Sequence, residues 1–391
     1  MVRINELVKV CWLILFIVYI YPLLIYPILL YIFNFNKKKA THNKRENVSE
    51  EELPFVSLII SAFNEEDTVE GKIRNSLEID YPKDKLEIIV VSDGSLDRTD
   101  KIVCDFHSRD VRLIRVEGRR GKTICQNIAV EEAHGEIIVF SDANTMYDSK
   151  SIRALVDQLM SDSSIGCVSG ELGYITKFGS EKESIYWKYE IFIKRLESLF
   201  CSEVGVNGAM YALRKKEYVP LRGDLISDFI EPLEIVKITG KPTKHCISAK
   251  AYEYEPAELN IAASVKRKRR IFVRSIRGLF FEKELLNPLR YPIIAFELIS
   301  HKLLRWINPI ILIFLLILPL FNLRELFFLA VIEYIILFLA FIGNLDVFGL
   351  FGRLSKILRA LNYFLWLNIA DFLGWIDLAK GERYIKWETK R

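Results

Sequence analysis

Paired cysteines and net charge are both scarce in this 391-residue sequence. The six cysteines (Cys11, Cys104, Cys125, Cys167, Cys201 and Cys246) show no CxxC spacing and read as reduced, partly buried thiols, which fits a cytoplasmic domain. His245 and Cys246 are adjacent and so do not converge as metal ligands on one face. A net charge of +4 is too small to suggest nucleic acid as a partner. No small-residue cleavage site follows the first apolar run, and that run is too long for a signal peptide, so it reads as a retained anchor. The length allows two or three domains at about 150 residues each.

Apolar residues are abundant, at 51% of the chain, and unevenly placed. Val10 to Asn36 carries no charge over 27 residues, more than the ~20 needed to cross a hydrocarbon core. Pro22 and Pro27 are its expected kinks. Ile307 to Leu323 is uncharged, and Leu326 to Leu345 carries only Glu333, so both are long enough to span. Leu361 to Ala379 includes Asn362, Asn368, Asp371 and Asp377, which makes a lipid-exposed span costly. Lys37, Lys38 and Lys39 after the anchor, with Arg353, Lys356 and Arg359 after the later spans, place the middle region in the cytoplasm. The basic tail "GERYIKWETKR" then argues for an interfacial or re-entrant last segment. On a cytoplasmic face the sequon Asn47-Val48-Ser49 is accidental.

The expected organisation is an anchor over 1–36, a polar linker over 37–52 and a cytoplasmic domain over 53–290. An amphipathic interfacial helix follows over 291–306, with Glu297, His301 and Arg305 at i, i+4, i+8 in the headgroup layer. Residues 307–391 form a C-terminal membrane region of two spans and a third membrane-associated segment.

Strand and helix signals alternate in the middle region. "FVSLII", "LEIIVV", "VRLIRV" and "EIIVFSD" read as buried strands. Val69, Ile73 and Leu77, then Ile102, Val103 and Phe106, then Ile152, Leu155, Val156 and Leu159 mark helices between or after them. This pattern predicts an α/β domain, a mostly parallel sheet with helices on both faces. Ligands bind such sheets outside the carboxyl ends of the strands, where Glu65, Asp93 and Asp142 stand. "YWKYEIFIKRLES" reads as an interface or core helix, and "GAMYALR" as a strand whose glycine allows a close approach.

In order, "SLIISAFNEEDTV", "IIVVSDGSLDRT", "RRGKTICQN", "IVFSDANTMYD", "GAMYALR", "SDFIEPL" and the basic run "SVKRKRRIFVRSIRG" resemble the nucleotide-diphosphosugar glycosyltransferases of family 2. That is the inverting, metal-dependent GT-A group, a Rossmann-like fold. The resemblance covers roughly Val56 to Arg277, with membrane segments on both sides. It is closest to the membrane-embedded members that make polysaccharides and glycolipids, of the hyaluronan and poly-N-acetylglucosamine synthase type. It implies that Phe63 and Glu65 contact the nucleoside, that Asp93 bonds the base, and that Lys122 reaches the diphosphate. Asp142 would bind a divalent cation, Mg2+ or Mn2+, as the first acid of a DxD pattern whose third position is the neutral Asn144. Asp228 stands where the family places its general base, with Glu231 a lower-ranked alternative.

A sugar-diphosphate donor, most simply a UDP-sugar, needs its leaving charge neutralised, which a divalent cation does with few protein carboxylates. Inversion needs a base on the opposite face of the sugar to take the acceptor hydroxyl's proton. The family's QxxRW reads Arg267-Lys268-Arg269-Arg270-Ile271 here, and Ile271 cannot stack on a sugar, which counts against processive synthesis. Partners so implied are the donor, a glycan or lipid acceptor and the bilayer. Two alternatives stay open: a transferase of monosaccharides onto polyprenyl phosphate, and a non-catalytic nucleotide-sugar-binding membrane protein.

At 100° per residue, Arg267, Arg270, Arg274 and Arg277 fall within about an 80° arc of one helix face. Val265, Phe272, Ile276 and Leu279 lie opposite. Arg267 and Arg270 are assigned to the donor diphosphate, and Arg274 and Arg277 to phospholipid headgroups.

Overall fold

The computed structural model describes residues 2–35, 49–107, 111–175, 185–254, 261–343 and 352–385. Lys37, Lys38, Lys39, Asn47, Val48 and the tail from Lys386 lie outside them. The chain begins with helices α1 (Val2–Ile20) and α2 (Tyr26–Asn34), joined by a π-helical turn over Tyr21–Ile25. Pro22 sits in that turn, where its missing N–H interrupts the i→i−4 ladder.

Eight strands follow: β1 (Val56–Ala62), β2 (Leu86–Ser92), β3 (Val111–Arg115), β4 (Ile137–Asp142), β5 (Thr145–Tyr147), β6 (Cys167–Ile175), β7 (Met210–Arg214) and β8 (Thr243–Tyr254). They make one sheet in the order β3-β2-β1-β4-β7-β6-β8-β5. The first four pair in parallel, β7 runs antiparallel to β4 and β6, and β8 runs parallel to β6. The parallel half is the one that the apolar runs foretell, and the other half is mixed.

The helices of this region are α3 (Val69–Leu77), α4 (Thr99–Cys104), α5 (Lys122–Glu132), α6 (Ser151–Ser161), α7 (Ile185–Phe200), α8 (Ser227–Thr239) and α9 (Ile261–Phe281). Side chains along a strand alternate between faces, so the apolar runs of β1, β2 and β4 feed two cores at once. Leu58, Ile60, Val90 and Val139 pack with Ile73, Val103 and Leu155 on one face. Ile59, Ile89, Ile138 and Phe140 pack with Cys125 and Ala129 of α5 on the other. Truncating a side chain such as Leu155, which is fully buried, to Ala costs about 2–5 kcal/mol.

The chain ends with α10 (Pro292–Glu297), α11 (Leu304–Ile317), α12 (Leu323–Ile342) and α13 (Gly352–Ala379). Among the described residues, three helical runs are long and apolar enough to cross a membrane: Asn5–Asn34, Pro292–Asn322 and Glu325–Ile342. The second contains α10 and α11 in one continuous run, so the segment expected as a separate interfacial helix merges with the span after it. Its polar stripe also faces protein rather than headgroups, because α7 presents carboxylates to it. His301 Nδ1 meets Glu197 Oε1 at 2.6 Å, and Arg305 Nη1 donates to Glu190 Oε1 at 2.6 Å.

The polar residues of α13 are buried in the same way, Asn362, Asn368, Asp371 and Asp377 all being under 9% exposed. They face other helices. A Cβ on Gly374 would meet Phe272 Cδ1 at 2.4 Å, so α13 lies directly against α9. Arg269 Nη2 donates to Asp377 Oδ1 at 2.6 Å across the same contact.

Candidate active site

The parallel register brings the carboxyl ends of three strands level. Ala62 pairs with Ser92, and Ser61 with Asp142, so the segments after β1, β2 and β4 share one edge of the sheet. Phe63, Glu65, Asp93 and Asp142 therefore gather as expected.

Phe63 is buried, and the guanidinium of Arg119 lies 3.9 Å from its ring centroid. Glu65 is buried beside it and accepts from Thr68 Oγ1 at 2.6 Å, while its own N–H donates to Thr99 Oγ1. Asp93 is fully buried, and its carboxylate accepts the backbone N–H groups of Arg120 (2.6 Å) and Gly121 (3.0 Å). As placed, it fastens the loop that delivers Lys122 to the first turn of α5. Gly121 carries a φ of +92°, and a Cβ there would meet the Ile385 carbonyl oxygen at 2.6 Å. Only glycine fits a position with both demands.

Lys122 reaches across the edge and pairs with Asp142 Oδ1, and its Nζ also donates to the Gly208 carbonyl at 3.3 Å. Asp228, in the first turn of α8, stands immediately beyond. A Cβ on Gly208 would meet Asp228 Oδ2 at 2.6 Å, so the glycine before β7 makes room for this carboxylate. Burial raises the Asp228 pKa above the usual carboxylate range; the Lys122 and Arg274 cations oppose that shift and the Asp142 charge adds to it. Glu231, one helical turn on, is fully buried, accepts the Val219 N–H at 3.1 Å and is pushed up to about 8 by burial. It faces away from the edge and offers no base to it.

The arginine stripe of α9 differs from expectation at its second half. Arg274 is 6% exposed and donates to Thr123 Oγ1 at 3.0 Å and to the Leu225 carbonyl. It points into the cleft beside Asp228, not at headgroups, because α8 and α13 cover the apolar side of α9. Arg277 donates to the backbone carbonyls of Glu382 (3.1 Å) and Gly381 (3.3 Å), binding the returning C-terminal chain. Arg267 is exposed at the mouth, its charge reaching Glu253, and Arg270 is half-buried close to Arg274.

Glu253 and Arg274 are the site residues that sequence reasoning missed. Glu253 lies on β8, accepts from Thr145 Oγ1 at 3.1 Å, and is raised by burial and then by the Asp142 charge. No motif surrounds it. Arg274 was already visible in the helical arc, which put it on the same face as Arg267 and Arg270.

The residues present suit a divalent cation. Asp142 and Asn144 are both partly exposed at the edge, and Asp142 raises two neighbouring carboxylates, Asp228 and Glu253. That excess of negative charge is what a cation would relieve. Among the described residues no three His, Cys, Asp or Glu side chains form a cage. An ion held by one or two protein oxygens, with substrate oxygens completing its shell, needs none.

Comparison with known proteins places the domain in a family. The Glycosyl transferase family 2 profile matches residues 57–220, so the chain carries a domain of that family. A probable glycosyltransferase, YdaM, of Bacillus subtilis is 35% identical over 136 residues, covering 34% of this chain and 32% of that protein. The poly-beta-1,6-N-acetyl-D-glucosamine synthase of Staphylococcus epidermidis is 27% identical over 142 residues, covering 36% and 34%. The matched region thus spans about a third of each of these relatives' length. Among solved structures, the mannosyltransferase PcManGT of Pyrobaculum calidifontis, in complex with GDP-Man and Mn2+, matches with a TM-score of 0.66 at 19% identity. It covers 96% of this chain and 100% of its own, and it establishes the shared fold.

Proposed function

We propose, from the premise of a family 2 glycosyltransferase domain at residues 57–220, that this chain is a membrane-bound inverting glycosyltransferase. Its donor is a nucleotide-diphosphate sugar, UDP-sugars being the first to test, and its acceptor is a hydroxyl of a glycan or lipid. The three apolar helical runs hold it in a cell membrane, and the lysines after the first run keep the catalytic unit, residues 53–290, on the cytoplasmic side. The observation that carries the reading is Asp228. It is a half-buried carboxylate of raised pKa, set against Gly208 and facing the Lys122–Asp142 pair.

In this reading Asp228 takes the acceptor hydroxyl's proton as that oxygen bonds the anomeric carbon. The bond from that carbon to the diphosphate breaks on the opposite face, which inverts the configuration. Lys122, Arg267, Arg270 and Arg274 stabilise the charge that collects on the departing diphosphate. Phe63 and Glu65 hold the nucleoside, with Asp93 at the base or behind it through the loop at Arg120. Asp142 and Asn144 would hold Mg2+ or Mn2+, which supplies further charge neutralisation at the diphosphate. The synthase relative acts in glycan synthesis by its name, and the structural neighbour was solved with a nucleotide sugar and Mn2+. Both support the donor class.

Membranes carrying the chain, assayed with radiolabelled UDP- and GDP-sugars and Mn2+, are expected to yield a labelled product of inverted anomeric configuration. Asp228→Asn is expected to lower the rate by about 10²–10⁴-fold while nucleotide binding persists. A retained configuration, or an unchanged rate in that variant, would overturn the assignment.

A further inference from the structure

Beside the Phe229–Trp306 contact the chain forms a second polar space. A cavity of about 120 Å3 lies where the Tyr21–Ile25 turn, α7, α9, α11 and α13 come together. A single water needs on the order of 10–15 Å3 on the same measure, so the space has room for a much larger group. Its polar wall includes Lys268, Lys302, Arg305, Glu190, Asn308 and Asp371, with His301, Asn368 and Tyr186 beside them. Leu23, Phe364 and Leu367 close it on the side of the apolar helices. This is an unusual place for such groups, since a charged side chain beside hydrocarbon is expensive unless it serves a ligand.

Three cations face two carboxylates in that wall. Arg305 and Glu190 satisfy one another at 2.6 Å. Lys268 and Lys302 are then left with Asp371, an excess of one positive charge. Asn308 and Asp371 are 3% and 8% exposed, and Oδ1 of each is buried without a hydrogen-bond donor. Two orphaned acceptors beside surplus cations ask for a ligand that carries negative charge and also donates hydroxyl protons.

The cavity shares a wall with the catalytic edge. Trp306 lines it, and its ring meets Phe229, the residue after Asp228, edge-on at 5.7 Å between centroids. Lys302 Cε lies 3.8 Å from the position a Cβ on Gly205 would take, and Phe229 lies at 3.1 Å from the same point. Trp306 and Phe229 thus stand between this cavity and Asp228.

We propose that this cavity is a headgroup site for a membrane lipid bearing both a phosphate and at least one hydroxyl. Lys268 and Lys302 take the phosphate, and the Asp371 and Asn308 oxygens take the hydroxyls. The apolar residues at the rim continue as the surface against which acyl chains lie. Headgroup binding does not depend on the glycosyl-transfer reading above.

The 391-residue chain, purified in detergent, is titrated with dioleoyl-phosphatidylglycerol, dioleoyl-phosphatidic acid and dioleoyl-phosphatidylcholine, and bound lipid is counted by native mass spectrometry. Phosphatidylglycerol is expected to bind at least tenfold more tightly than phosphatidylcholine. Lys268→Gln should erase that preference, and Asn308→Leu, which removes an acceptor without changing charge, should weaken phosphatidylglycerol while sparing phosphatidic acid. Equal binding of all three lipids, or preferences unmoved by both variants, would overturn the proposal. So would sn-glycerol 3-phosphate displacing the lipid at equal concentration, since the site would then be one for a soluble phosphate. UDP binding with Mn2+ is measured on the same samples. Its absence in the unsubstituted chain sinks the donor reading, while its presence without lipid preference sinks only the headgroup site.

Discussion

Asp228 Oδ2 occupies the space that a side chain on residue 208 would need, 2.6 Å from the position of that missing Cβ. The glycine and the carboxylate are therefore one device, and neither can change alone. Gly208→Ala must push the carboxylate aside or tilt the start of β7. A displacement of about 1 Å costs on the order of 10²-fold in rate. The expected result is a loss of that size in kcat with UDP affinity within about threefold. Steady-state kinetics beside nucleotide titration checks it, and a thermal melt confirms that the variant folds.

The proton balance of the same carboxylate is also measurable. Burial holds its pKa above the ordinary carboxylate value of 3.8, so the carboxylate is charged only above that raised value. Activity should fall as pH drops through it, placing the acid limb of the kcat/KM profile higher than a solvated aspartate would. Arg274 opposes the shift, so Arg274→Gln should move the limb to still higher pH. A limb that stays in place would show that another group sets it.

Away from the edge, His245 forms a buried knot that should govern stability. Its Nδ1 lies 3.1 Å from Glu203 Oε2, which also accepts from Ser169, while Lys194 Nζ donates to Glu203 Oε1 at 2.7 Å. The Glu203 charge and the Glu171 contact hold the imidazole's pKa above 6.5 despite burial. Its contribution is complete below 6.5 and disappears as pH rises through the raised value. Glu203, lowered to about 2 by Lys194 and His245 against the effect of its burial, contributes above 4.5 and loses that as pH falls toward 2. His245→Gln should thus cost about 3 kcal/mol near pH 5–6 and progressively less on the alkaline side, read from melting curves across pH.

Lys72 presents the opposite case. It is fully buried, its Nζ has no hydrogen-bond partner, and it lies 3.7 Å from the centroid of the Tyr147 ring. Burial depresses its pKa to about 7, so its ammonium form opposes folding below that value. The contribution to stability improves as pH rises from 7 toward 10.5. Lys72→Met keeps the volume and removes the charge, so it should raise the melting temperature at pH 6, with the gain vanishing near pH 10.

How much of this was legible beforehand depends on range. The strands β1, β2 and β4 are apolar runs ended by turn residues, and their carboxyl-end acids follow from parallel pairing alone. Glu253 could not be read that way, because its approach to Asp142 depends on β8 pairing with β5 and β6 far along the chain. Arg274 was legible as part of a stripe but not as to destination. Which way an amphipathic helix turns depends on what covers its apolar side, and here that is α13, a hundred residues later. The stripe Glu297, His301 and Arg305 misled for the same reason, since nothing nearby in sequence announces the carboxylates of α7.

The contact of Phe272 with Gly374, and of Arg269 with Asp377, sets a schedule for biosynthesis. The sheet and its acids are synthesised before the helix that braces the arginine stripe. A nascent chain still lacking α13 would hold Asp228 and the loop before Lys122 in place, with the apolar side of α9 uncovered. The inward turn of Arg274 is therefore the last part of this edge to be secured.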